Sequence, residues 1–178
     1  MQAPEDARVL RARLLAFLRQ QESVAQELVA VATYLPELGR AEAPLRAAST
    51  RLRTRLAASS TPEAQGAAVQ QYAGDLRRVA KSLEQMDPPR LLAPSHGAYI
   101  RQLRAYAASS EALQRAIDAN DQAAVDAAVG RMETAASSPS GTIRAQRAAI
   151  KEYNQRVVRI RTLGAALEKE RRRLEQEL

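Results

Sequence analysis

Residues 10–35 read LRARLLAFLRQQESVAQELVAVATYL. Within this stretch Leu10, Leu14, Phe17, Gln21, Val24, Leu28, Val31 and Leu35 recur at alternating spacings of four and three. Residues three and four apart share one face of an α-helix, whereas a half-buried strand repeats every second residue. The stretch is therefore a helix with a sustained heptad seam of coiled-coil type. Pro36 and Gly39 are expected to end it, since proline lacks the N–H that the next turn needs.

Outward from this seam the chain repeats the pattern. A second helix is expected over about residues 41–58, around Leu45, Leu52 and Leu56, with Pro44 in its first turn. Ser60-Thr61-Pro62-Glu63 combines capping hydroxyls, an early proline and an early carboxylate, which start a third helix. Its stripe is Val69, Tyr72, Leu76, Val79, Leu83 and Met86, and Asp87-Pro88-Pro89 stops it. Pro94 opens a fourth helix with His96, Tyr99, Leu103, Tyr106, Ser110, Leu113 and Ile117 on one face. Asn120-Asp121 breaks and recaps the chain before a short fifth helix that carries Val125, Val129 and Met132, with Gly130 weakening its middle.

Ser137 to Gly141 is read as a loop. A last helix follows from Thr142 towards Leu178. It carries Ile143, Ile150, Val157, Gly164 and Arg171 on one heptad position and Gln146, Tyr153, Ile160, Leu167 and Leu174 on the other. It would span about 55 Å. The fold class is all-α: one domain over residues 1–178, an antiparallel up-and-down bundle of five to six helices whose long first and last helices pair coiled-coil-like. Six helices joined by short turns bring the two termini to one end. With the ends aligned, Phe17 lies opposite Gly164, its ring filling the space of the missing side chain.

Composition supports the same class. Alanine, the best helix former, makes up about a fifth of the chain, while aromatics are 3%. No linker cuts the chain in two. Lys and Arg number 27 against 20 Asp and Glu, a net charge of +7 that favours anionic partners without choosing among nucleic acid, lipid head groups and other polyanions. Cysteine is absent, which excludes disulfides and thiolate chemistry.

The residues for common chemistries are missing. His96 is the single histidine, so no multi-histidine metal site can be built within one chain, and no glutamate stands three residues before it as di-iron bundles require. Phosphate-binding glycine loops and dinucleotide fingerprints are absent. The carboxylate pairs Glu84 with Asp87 and Asp118 with Asp121 sit at helix ends, where acids ordinarily cap or turn the chain. No catalytic residue, cofactor or metal is expected. The one place for a small pocket is around His96, Tyr99 and Tyr106, with Tyr72 near; the plainer reading has His96 bonded to a backbone carbonyl, Tyr72 or Tyr106.

Charge runs also have a plain reading. Residues 168–177 alternate in sign, so Glu168 pairs with Arg172 and Glu170 with Arg173 on a solvated helix. Arg171, on the seam, marks where the packed interface ends or where this end meets another chain or a membrane surface. Arg8, Arg11, Arg13 and Arg19 with Arg156, Arg159 and Arg161 form a basic face able to attract phosphates, but no helix-turn-helix or stacking platform accompanies it. No specific nucleic-acid recognition is expected.

The segment Asp87-Pro88-Pro89-Arg90-Leu91-Leu92-Ala93-Pro94-Ser95-His96-Gly97-Ala98-Tyr99, with Ala149-Ile150-Lys151-Glu152-Tyr153-Asn154-Gln155-Arg156-Val157 in the last helix, resembles small helical extracytoplasmic domains of GC-rich bacteria. These are lipoproteins or membrane-tethered proteins without assigned function. Pro94 departs from their pattern by moving the helix start before His96. The resemblance implies location and tethering and brings no activity with it.

The expected function is thus a non-enzymatic, extracytoplasmic, membrane-tethered helical domain for interaction, sensing or envelope structure, whose anchor or signal lies outside this chain. Its partner would be a protein or a small ligand, and the long seams can also pair two copies into a homodimer. The alternative is a cytoplasmic polyanion-binding or coiled-coil assembly protein.

Overall fold

The computed structural model describes the backbone of residues 3–137 and 139–177, and the side chains of residues 8–134, 147 and 150–176. The described residues form five helices and no strand: α1 (Ala3–Ala58), α2 (Pro62–Glu84), α3 (Ala93–Asp118), α4 (Gln122–Ser137) and α5 (Pro139–Glu177). The protein is an all-α bundle.

The largest departure from the sequence reading lies in α1, which runs for 56 residues, about 84 Å, straight through Pro36, Gly39 and Pro44. Each proline inside a helix removes one hydrogen bond and costs about 3 kcal/mol. The cost is outweighed because packing holds the helix on both sides of each proline. Tyr34 and Ala48 are buried, and Leu38, Ala41 and Leu45 pack against the main core. Burying an aliphatic side chain contributes about 1.5–3 kcal/mol. The Arg40 side chain also donates to the Pro36 carbonyl at 3.4 Å.

The other punctuation follows local chemistry. Thr61 caps α2, its hydroxyl accepting the Ala64 N–H at 3.3 Å, and Pro62 follows in the first turn. Asn120 adopts the left-handed conformation at φ 50°, which ends α3, and the Asp121 carboxylate accepts the Ala124 N–H at 3.0 Å to start α4. The expected loop at Ser137 to Gly141 is different: Ser137 belongs to α4, and Pro139 opens α5, where its missing N–H costs nothing. Ser138 lies outside the described residues, as do the side chains of Ile143, Gln146 and Leu178.

Two regions result. In the head, Leu76, Val79, Ala80 and Leu83 of α2 interlock with Ile100, Leu103 and Ala107 of α3, and the C-terminal half of α1 covers them. Asp75, 6% exposed, ties α2 to α1 through Arg51 at 3.0 Å and also pairs with Arg78. In the stalk, the N-terminal half of α1 packs against α5 alone. A Cβ added at Gly164 would stand 3.3 Å from the Phe17 ring, and Glu27 pairs with Arg156 at 2.8 Å. Moving up α1 from Phe17 to Glu27 moves back along α5 from Gly164 to Arg156, so the two helices are antiparallel.

The Phe17–Gly164 register is thus as the heptads imply, and the described chain ends share one tip. The route differs from a six-helix alternation, because the first two expected helices are one continuous α1.

Candidate functional site

The head and the stalk meet at the first turn of α3. Pro89, in the turn after α2, offers its carbonyl to the N–H groups of Leu92 and Ala93, at 2.8 and 3.0 Å. This sets the start of α3 just before Pro94, which the first helical turn tolerates. The His96 N–H then donates to the Leu92 carbonyl at 2.8 Å, and so does the Ser95 hydroxyl at 2.8 Å. Ser95 therefore gives its proton to the backbone and not to His96.

Buried, the His96 ring meets Tyr34 of α1 edge-on, with ring centroids 5.9 Å apart. Its Nδ1 lies 2.5 Å from the Tyr34 hydroxyl oxygen. One turn on, Tyr99 and Glu42 line the same space from opposite sides. The Tyr34–His96 bridge spans a gap, because no Cα atoms of α1 and α3 come within 8 Å of one another among the described residues. The gap is a cavity of about 180 Å³. α1 supplies Tyr34, Leu35, Leu38 and Glu42 to its wall; Leu92, Ser95, His96 and Tyr99 close the other side.

Burial and the negative charge of Glu42 both raise the pKa of Tyr34 and Tyr99. Tyr106 is raised by burial and then by Tyr72. All three hydroxyls stay protonated well into the alkaline range.

Of the four residues expected to line a pocket, the cavity brings together His96 and Tyr99 only. Tyr72 of α2 and Tyr106 of α3 pack on the rim of the main core instead; Tyr106 lies two turns beyond Tyr99 along α3. The residues that sequence reasoning missed, Tyr34 and Glu42, sit on either side of Pro36, where the helix was expected to break. The available signal was the run Val31, Tyr34, Leu38, Ala41, Leu45, whose three- and four-residue spacing continues across the proline.

The carboxylate pairs have structural duties: Glu84 pairs with Arg104, Asp118 accepts from Gln114 and Asp121 caps α4. Among the described residues no three His, Cys, Asp or Glu side chains cluster as a metal site.

Along the stalk, the seam quoted at the outset is only half used. Leu10, Phe17, Val24 and Val31 turn towards α5, but Leu14, Leu28 and Leu35 are 45%, 48% and 52% exposed, and neighbouring Leu18 is 48% exposed. The basic face is also partly spent. Arg156 is half-buried between Glu27 and Glu152, and Arg171, Arg172 and Arg173 are paired with Glu168, Glu170 and Glu175. Glu168–Arg172 and Glu170–Arg173 are the pairs that the alternating charges imply. No described helix is long and apolar enough to cross a membrane. The chain matches no family model, no curated protein and no solved structure.

Proposed function

We propose that the protein is a non-enzymatic helical interaction domain, extracytoplasmic and tethered to the membrane at the tip of its stalk. The observation that carries this reading is the uncovered half of the α1 seam. Leu14, Leu18, Gln21, Ala25, Leu28, Ala32 and Leu35 keep the alternating four and three spacing of a coiled coil, yet α5 lies on the other side. A solvated stalk has no use for such a row.

The occupant we infer is a second copy of the stalk. Paired in parallel about a two-fold along the stalk, each residue of the row meets its own copy: Leu14, Leu18, Leu28 and Leu35 stack on their counterparts, while Ala25 and Ala32 let the helices approach. The pairing makes a four-helix bundle, and such a two-fold contact is the commonest kind in homo-oligomers. Both chain ends at one tip, together with the resemblance to membrane-tethered bacterial domains, support the tether. The seam then joins heads held away from the surface.

Light scattering tests the pairing. The expected mass is twice the 19.5 kDa of one chain, falling to one chain when Leu14, Leu18 and Leu28 are changed together to Gln. A monomer at the highest soluble concentration overturns self-pairing. Fractionation of the native cell tests the tether separately, with the protein expected in the membrane fraction and accessible to protease from outside. Recovery in the cytosol favours the alternative, a cytoplasmic polyanion binder, for which Arg147, Lys151 and Arg159 on the open side of α5 are the support. That reading expects retention on DNA that falls steeply with salt.

A further inference from the structure

We infer that the cavity between α1 and α3 is a binding site for a small apolar amine, with the ammonium group on Glu42. The argument begins with how this chain treats its acids. Among the described residues, Glu27, Asp75, Glu111, Glu168 and Glu170 are the other acidic side chains withdrawn from full exposure, and each is paired with an arginine. Glu42 is equally withdrawn, and what shares its cavity wall is the neutral hydroxyl of Tyr99, with no arginine paired to it. In a chain with a net charge of +7, a carboxylate left without a cation at the edge of a cavity is the exception.

The rest of the wall fits the same ligand. Leu38 and Leu92 provide apolar surface, while the rings of Tyr34, His96 and Tyr99 provide aromatic faces and edges. An ammonium gains from a desolvated carboxylate and from aromatic faces together. At about 180 Å³ the space is slightly larger than the roughly 150 Å³ apolar cavity known to hold benzene. It takes a ring or short chain with an amine on a brief arm. The Tyr34–His96 bridge spans α1 and α3 across the gap, so the space persists without the ligand.

The test uses the full chain and three matched probes: 2-phenylethylammonium, neutral 2-phenylethanol and anionic 3-phenylpropionate, titrated calorimetrically at neutral pH. The amine is expected to bind saturably and more tightly than either analogue. Glu42→Gln, which removes the charge and keeps the side-chain shape, is expected to weaken the amine by about tenfold or more and to leave the alcohol unchanged. Leu92→Trp, at a partly buried position on the cavity wall and outside the α1 seam, fills the space and is expected to abolish amine binding while helical content and melting temperature are retained. Equal affinity for the alcohol or the anion, unchanged affinity in Glu42→Gln, survival of binding in Leu92→Trp, or no saturable binding of the amine each overturns the proposal.

Discussion

Head and stalk are made from the same materials, alanine-rich helices with leucine seams, but they differ in how many neighbours each helix has. In the head, α1, α2 and α3 converge and both α4 and α5 pack against α3, so Leu83 is completely buried and a continuous core forms. In the stalk two helices meet along a line. Among the described residues Val24 is the one α1 residue there that becomes buried, at 9% exposure, while large apolar side chains on its flanks stay open. A helix can hide a narrow stripe against one neighbour but needs at least two to hide a wide one. The head is thus expected to carry most of the stability, and the stalk to carry surface.

The largest effect that bears on this contrast is expected for Leu83→Ala. Loss of the buried side chain leaves a cavity in the head and should cost about 2–5 kcal/mol in denaturant unfolding. Phe17→Ala in the stalk removes a larger but half-covered ring and should cost less than Leu83→Ala. If the stalk variant costs as much as the head variant, the division of labour fails.

Pro36→Ala probes the border between the regions. In a continuous α1 the alanine restores a hydrogen bond and relieves the ring clash, so a gain of about 1–2 kcal/mol is expected after allowing for the greater entropy of the unfolded chain. A loss of stability would place a helix end there, as the local sequence suggests.

The pH dependence is expected to be smaller and to come from the head. The pKa values of Tyr34, Tyr99 and Tyr106 lie above the ordinary 10.0 when folded, chiefly through burial. A raised pKa means that the folded state holds protons the unfolded state releases. The associated stability is therefore complete below pH 10 and is lost as pH rises through the folded values. Melting temperatures measured from pH 8 to 12 should fall at the alkaline end, and Tyr99→Phe should flatten the fall. At the stalk tip, Arg171→Ala breaks exposed pairs with Glu168 and Glu175, and calorimetry at physiological salt should find the melting temperature unchanged.

Much of the fold was legible in the residues. Thr61-Pro62, Asp87-Pro88-Pro89 and Asn120-Asp121 act where they stand, because capping and the left-handed turn are satisfied within a few residues of chain. The opposition of Phe17 and Gly164 was legible too, since two aligned heptad seams leave few registers. The candidate cavity was only half legible. His96 and Tyr99 lie on one stripe of one helix, but their partners Tyr34 and Glu42 lie about sixty residues earlier, across a proline.

By itself, then, the sequence determined that this protein is built from helices, where most of them end, and that the first and last run side by side. Those outcomes depend on backbone hydrogen bonding and on periodicities within a single segment. Tertiary structure alone decided that α1 continues through Pro36 and Pro44, that the seam is covered on one side only, and that Tyr34 and Glu42 face α3 across a shared cavity. Each of these is a competition between a local preference of about 1–3 kcal/mol and the burial offered by helices distant in sequence, and only the assembled head decides which wins.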